Sequence, residues 1–432
     1  MFETVRNAFK LKEIRSRIIY TLLMLVVVRI GTQLPIPGVN GSYFSEWFSG
    51  NSGSAFGFFD AITGGSFEKM SVFALNITPY ITSSIIIQLL TIAIPKLEEL
   101  QKDGEEGRKK MTAITRYLTV ALALMESLAM AIGFGKSGLL LEYTAVVTLT
   151  AGSTVIMWIG ERITENGVGN GISIVLTINI ISRIPQDLTL LFEQFVKGKE
   201  IAFQVLNLAI IIAIIIAVTV LTVTLQGAER RIPVQYSRKV QGRKQIGGQS
   251  SYIPLKVNTA GVIPIIFAQS LFMFPLIIMQ LLGKSGGNGI GGTILKMLNQ
   301  SNWCDFNEPI YSIGLIVYIV LVIAFAYFYT SITFNPLEIA DNMKKQGGFI
   351  PGIRPGKPTS EYLTKILNYI IFIGAVGLVI VAIIPIFFEG AFNASISFGG
   401  TSLIIIVGVI IETLKQIESR MLVRNYKGFL ND

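Results

Sequence analysis

Ile77, Ile81 and Ile85 recur every four residues, so in a helix they share one face. The same apolar run, 74–94, also carries Asn76, Thr78, Thr82, Ser83, Ser84 and Gln88, with Pro79 near its start. Polar side chains are costly in hydrocarbon unless they face other helices or water. The isoleucine stripe therefore has two readings. It is helix packing, or it is a constriction of branched apolar side chains that blocks ions by dewetting yet yields to a large substrate.

Few other residues could do chemistry. Glu126 lies in the middle of an apolar run, where a carboxylate marks a functional position by default, although one acid is thin support for a proton relay. Arg29 sits near the end of its run and can snorkel to the interface. The chain has no histidine, which removes HExxH zinc sites, Ser-His and Cys-His dyads and His-ligated haem, and makes an enzyme an unfavoured reading. No metal site and no cofactor are expected. The single Cys304 rules out an internal disulfide. In GVGNGIS the glycines at 167, 169 and 171 imitate a nucleotide loop but lack a βαβ context, so a tight cytoplasmic turn is expected.

The stretch Gly53–Met70 is unusual. It holds Phe56, Phe58, Phe59, Ile62, Phe67 and Met70, is broken by glycines at 53, 57, 64 and 65, and carries Asp60, Glu68 and Lys69. It is too short and too broken to cross a bilayer. It is either an amphipathic helix on the headgroups or a re-entrant element, which survives at membrane depth only when buried in protein or lining a water-filled cavity.

The elements that must position these residues are ten apolar runs, near 18–34, 74–94, 113–133, 144–160, 172–184, 203–225, 259–282, 312–333, 366–387 and 397–414. A spanning helix needs about 20 mostly apolar residues, and most of the runs are close to that. The fifth is short and must extend into its flanks. Most of the 36 lysines and arginines fall in alternate connecting segments, which puts both termini in the cytoplasm. Arg15 and Arg17 before the first run resemble the start of a signal peptide, but no small-residue cleavage site follows, so a retained span is expected. With 51% hydrophobic and 15% charged residues, the chain reads as an all-α polytopic membrane protein. Its net charge of +9 is mainly loop charge facing anionic lipid rather than a nucleic-acid footprint.

Ten spans divide five and five. The expected organisation is an N-terminal half, 1–184, with the broken segment 53–70 outside, a hinge connection at 185–202, a C-terminal half, 203–414, and a cytoplasmic tail, 415–432. An odd number of spans per half makes the halves inverted in the membrane. The loop 96–110 mixes charge signs and reads as a solvated helical hairpin. The loop 226–256 is strongly basic, and 335–361 is stiffened by Pro351, Pro355 and Pro358. Both exceed what orientation requires, so they are topogenic loops or the docking site of a soluble partner.

Five motifs then occur in order: ALNITPYITSSIIIQLL, GVGNGISI, PLKVNTAGVIPIIFA, FIPGIRPGKPT and FGGTSLIIIVGV. Together they closely resemble the SecY family, the pore-forming subunits of the bacterial protein-secretion translocon, over essentially the whole chain. The resemblance implies ten transmembrane helices in two pseudo-symmetric five-helix halves around a central channel. It implies a pore ring of Ile77, Ile81, Leu176, Ile180, Ile266 and Ile405, with Leu176 where isoleucine is more usual. It also implies a plug containing Phe56, Phe58, Phe59, Ile62 and Phe67, and a lateral gate with Thr82, Asn258 and Phe274. Glu126 matches a gate position that is commonly Gln.

Cytoplasmic docking would use Arg243, Lys244 and Arg354. The implied partners are SecE, SecG, the SecA motor ATPase, the ribosome, signal sequences, secretory polypeptides and anionic lipids, with no nucleotide bound directly. The implied location is the bacterial plasma membrane. The implied function is a channel with no active site, driven from outside. A secondary transporter of a small solute is the alternative.

Overall fold

The computed structural model describes residues 6, 8–39, 60, 63–135, 142–197, 201–236, 239–241, 244–246, 250–281, 290–299, 302–304, 308–392 and 400–428. Of the residues singled out above, Phe56, Phe58, Phe59, Ile62 and Arg243 lie outside this set. The chain forms two compact units. The first comprises Met1–Leu191, Pro275–Ser301 and Val409–Asp432, and the second Phe192–Phe274 and Asn302–Gly408.

In the first unit α1 (Lys12–Gly31) leads to a turn-rich stretch and then to α2 (Thr78–Ala93), α3 (Pro95–Lys102), α4 (Gly104–Gly135), α5 (Glu142–Asn166) and most of α6 (Gly171–Phe195). Proline placement sets two of these boundaries. Pro79 occupies the first turn of α2, where its missing N–H and fixed φ cost nothing. At the other end Ile94 precedes Pro95 and is extended (φ −116, ψ 106), so α3 departs from α2 at 111°. The strand of charge at 96–110 is accordingly a helical hairpin that turns at Gly104 (φ 67), as its mixed signs suggest. The fifth apolar run does extend into its flanks, because α6 continues through Pro185 to Phe195.

The second unit contains α7 (Ile201–Gly227), β1 (Glu229–Tyr236), β2 (Lys239–Gln241), β3 (Lys244–Ile246), β4 (Ser250–Lys256) and most of α8 (Ile263–Leu281). After α9 (Ile290–Leu298), which belongs to the first unit, come α10 (Ser312–Thr333), α11 (Pro336–Lys345), β5 (Gly348–Phe349), α12 (Lys357–Phe392) and α13 (Gly400–Gly428), the last shared with the first unit.

Six helices are individually long and apolar enough to cross a membrane among the described residues: Gly104–Ile132, Tyr143–Asn166, Gly171–Phe195, Phe203–Gly227, Pro309–Lys345 and Lys357–Phe387. Thr78–Ala93 and Pro95–Gln101 pass the same test only when taken together as one bent pair. The three remaining apolar runs fall on α1, α8 and α13. Threonine and serine hydroxyls within the helices bond back to carbonyls one turn earlier, as Thr91 does to Ile87 (2.7 Å) and Thr222 to Val218 (2.7 Å), which satisfies them without water.

The basic loop is structured in a way the sequence reading did not anticipate. β1 pairs antiparallel with β4 from Glu229↔Lys256 to Gln235↔Ser250, and β5 adds to the other edge of β1. Ile232, Val234, Leu255, Met343 and Ile350 form one buried cluster with Leu363 and Ile370 of α12. At about 1.5 Å per residue, the 36-residue α12 is much longer than a hydrocarbon core is thick. Its N-terminal half, through Leu363 and Ile370, serves as the wall on which this small sheet packs.

Candidate functional site

The path into the site begins after α1. Ile36 donates its N–H to Met70 O (3.0 Å) and Val72 donates to Leu34 O (2.9 Å), so the segment leaving α1 pairs with the segment approaching α2. From Gly64 to Ile77 the backbone makes successive turns instead of a helix. Two non-glycine residues, Met70 (φ 43) and Asn76 (φ 51), hold left-handed conformations that are uncommon for L side chains. Such geometry persists only where the surroundings impose it.

They do so here. Phe67, Met70, Ala74 and Leu75 are buried with Ile36, Ala145 and Leu149. The Ser66 hydroxyl donates to Thr63 O (2.9 Å) and to Phe73 O (3.2 Å), and Ser153 Oγ donates to Asn76 O (3.1 Å). Two helices are notched to admit the stretch. A Cβ on Gly31 would stand 2.0 Å from the Phe73 ring, and one on Gly152 would stand 2.0 Å from Val72 O. The stretch 64–77 is therefore non-helical and largely buried in protein, while residues 53–59, 61 and 62 of the broken segment lie outside the described residues.

Ile77 is fully buried at the N-cap of α2, directly where this stretch ends. The packed stripe of α2 is Pro79, Ser83, Ile87 and Thr91. Ile81 and Ile85 lie on a different face and are half-buried. Packing of α2 thus runs through Pro79, Ser83, Ile87 and Thr91, whereas Ile81 and Ile85, one and two turns beyond the buried Ile77, are only partly covered. On α6, Leu176 and Ile180 are buried. Ile266 of α8 is half-buried and Ile405 of α13 is buried, both within the second unit.

The turn before α6 is as tight as its glycines suggest. Gly169 has φ +77, and a Cβ on Gly171 would lie 2.0 Å from Gly160 O. Asn170 Oδ1 caps α6 by accepting the N–H groups of Ile172 (3.1 Å) and Ser173 (3.4 Å). The Val168 N–H is taken by Thr21 Oγ1 at 3.1 Å, and Arg420 donates to Gly167 O at 3.4 Å.

Among the proposed gate residues, Thr82 is half-buried and its hydroxyl donates to Thr78 O (3.1 Å). Glu126 is half-buried on α4, beside a Ser127 that contacts Thr150 Oγ1 at 2.8 Å. Asn258 is buried, where a Cβ on Gly374 of α12 would stand 2.2 Å from the Val257 carbonyl oxygen. Phe274 lies in α8. On the sheet side, Lys244 begins β3 opposite Gln241, and Arg354 is exposed in a turn between Gly352 (φ 83) and Gly356 (φ 103). Arg231 pairs with Glu229 (2.7 Å) and stacks over Tyr252 (4.9 Å), and the nearby carboxylate raises its already high pKa.

Sequence reasoning missed a charge cluster. Glu126 is the one acid it placed clearly inside a span, yet Asp60 and Asp187 are both buried in the first unit and both pair with Arg183. The apolar run 172–184 includes Arg183 at its very end but stops three residues short of Asp187, so the i,i+4 pair is not visible within it. The helix itself continues through both. Among the described residues no cluster of metal-ligating side chains occurs.

Comparison with known proteins agrees with this architecture. A family model, SecY, matches residues 71–414. A protein translocase subunit SecY of Halalkalibacterium halodurans is 42% identical over 443 residues, covering all of both chains. A solved structure of a protein-conducting channel superposes with a TM-score of 0.62 at 20% identity, over 94% of this chain and 92% of the other. A second, of a SecY protein whose plug domain is described as stabilising the closed channel and maintaining the membrane seal, gives the same score, identity and coverage. At that identity the two structures speak for the fold alone. The sequence match over the full length decides the family: this chain is a member of the SecY family.

Proposed function

We propose that the chain is a protein-conducting channel that passes unfolded secretory polypeptides across the plasma membrane and releases membrane segments sideways into the bilayer. The observation that carries this reading is the buried, non-helical stretch 64–76, which runs directly into Ile77 and the partly covered Ile81 and Ile85 of α2. A broken segment held in protein at this depth suits a plug. Branched apolar side chains at a constriction exclude ions by dewetting yet offer a passing chain no specific bond to break.

Ile77, Ile81, Leu176, Ile180, Ile266 and Ile405 then form the ring, with Phe67 and its preceding aromatic residues in the plug. Thr82, Glu126, Asn258 and Phe274 line a lateral gate between an N-terminal half, 1–184, and a C-terminal half, 203–414. The small sheet and the Gly352–Gly356 turn receive SecA or the ribosome through Arg243, Lys244 and Arg354. SecE and SecG complete the assembly. Both termini are cytoplasmic, and the chain itself carries out no bond-making reaction. The solute-transporter alternative is less well supported, because Asp60 and Asp187 are both engaged with Arg183 and an isoleucine waist binds no ion.

The test is site-specific photocrosslinking from Ile81 and Ile180 to a stalled secretory chain, with exposed Ile212 as the lipid-facing control. Adducts from the two ring positions and none from Ile212 are expected. Intact translocation with no ring adducts would reject the assigned path.

A further inference from the structure

Arg183 of α6 is largely buried, at 10% side-chain exposure, and faces two acids. Its Nη1 contacts Oδ2 of Asp60, which is completely buried, and its Nε lies 3.6 Å from Oδ1 of Asp187, one turn along the same helix. Asp60 in turn organises the stretch that follows it. Its Oδ1 accepts the Glu68 N–H (2.8 Å), and its carbonyl accepts the Gly65 N–H (3.1 Å) and the Thr63 hydroxyl (3.1 Å). Moving Asp60 therefore moves the whole 63–68 turn.

The same turn touches α6 at a second place. Gly64 (φ +71) packs so closely on the Asn179 backbone that an added Cβ would lie 2.5 Å from its carbonyl oxygen. Asn179 is buried, accepts from Arg29 Nη1 at 3.5 Å, and directly precedes the ring residue Ile180. The stretch is thus seated on α6 at two points one helical turn apart, beside the proposed waist.

We propose that Arg183 is a positioning residue. Its ion pair with Asp60 latches the 63–76 stretch onto α6 in the resting channel, and the pair parts on opening. This rests on the reading of that stretch as the plug of a channel. Two features distinguish a latch from a permanent strut. A buried ion pair gains little net stability over apolar packing, whereas a cation left without a partner is strongly destabilising. Here Asp187 stays with Arg183 when Asp60 leaves, so release strands no bare cation. Asp60 is itself helical but lies on a different element from Arg183, so parting the pair breaks no backbone hydrogen bond of α6. Other charges around the seat are Arg29 and the more exposed Glu68 and Lys69, whose Nζ donates to Gln33 Oε1 (2.8 Å).

The test is the resting ion conductance of the full chain in planar bilayers, with four variants beside the parent. Asp60→Asn is expected to raise resting conductance by about tenfold, since it removes the charge that holds the turn. Asp60→Glu keeps that charge and should leak less than Asp60→Asn. Asp187→Asn leaves the latch in place and should match the parent. The double variant Ile81→Ser/Ile180→Ser opens the waist directly and is the control for the channel reading. A leaking waist variant with a tight Asp60→Asn overturns the latch and leaves the channel standing. Equal leak from Asp60→Asn and Asp187→Asn, or an Asp60→Asn chain that does not fold, assigns the cluster to structure alone and also overturns it. A tight waist variant rejects the channel reading, and the latch falls with it.

Discussion

The hydroxyl of Ser153, on α5, donates to the carbonyl of Asn76 at 3.1 Å and fixes the last residue but one before α2 begins. Asn76 is itself held at φ 51, a region asparagine tolerates better than most residues. Both groups are fully or almost fully buried. Ser153→Ala leaves the carbonyl without this donor and should lower stability by about 1–3 kcal/mol. Asn76→Gly should be close to neutral and Asn76→Val severe, because a β-branched side chain resists positive φ. Thermal unfolding of the purified chain in detergent checks all three. A Ser153→Ala variant with the parent's midpoint would remove the anchor assignment.

Gly152 and Gly65 separate close approach from backbone conformation. At Gly152 an added methyl meets the Val72 carbonyl at 2.0 Å, whereas at Gly65 nothing lies within 4 Å but φ is +79. Gly65→Ala should cost about 1–2 kcal/mol through conformation alone. Gly152→Ala should cost more and also expose 63–77 to limited proteolysis, because the stretch loses its notch. Equal losses at the two positions would argue against close seating.

The exposed turn at Arg354 offers a test of docking that leaves the fold untouched. Its side chain is exposed, and the turn is held through its backbone by the Thr359 hydroxyl at 2.8 Å. Arg354→Glu should reduce ATP-driven translocation by roughly an order of magnitude, as expected when a rim charge is reversed at an interface. Its unfolding midpoint should remain that of the parent. Normal ATP-coupled transport by this variant would remove Arg354 from the docking surface.

Cys304 provides a pH-dependent readout on the loop before α10. Burial disfavours the thiolate, so its pKa is raised above the ordinary thiol value. The thiolate is the reactive form and therefore accumulates only at higher pH. Alkylation by iodoacetamide should be slow at pH 7 and reach half its maximal rate at a higher pH than for a cysteine peptide. As the chain has one cysteine, incorporated label reports this site directly. A midpoint at or below the peptide's would contradict its partial burial.

The amino-acid sequence by itself determined the membrane class, the tight turn at Gly167–Gly171, the helical hairpin at 96–110 and, through five motifs in order, the family. Each of these is written locally, in apolar run length, in glycine spacing, in charge along one segment. Tertiary structure decided which face of α2 is packed. The isoleucine stripe at 77, 81 and 85 and the stripe at 79, 83, 87 and 91 are both regular in sequence, and only the neighbouring helices choose between them. It also revealed the sheet built on α12, although the alternation of Ile232 and Val234 was a signal that could have found β1. Most of all it decided the pairing of Asp60 with Arg183. Read locally, one is an acid that argues against a span and the other a charge at the end of an apolar run. An ion pair between segments so distant along the chain leaves no periodicity to read, because burial and partner are supplied only when the segments meet.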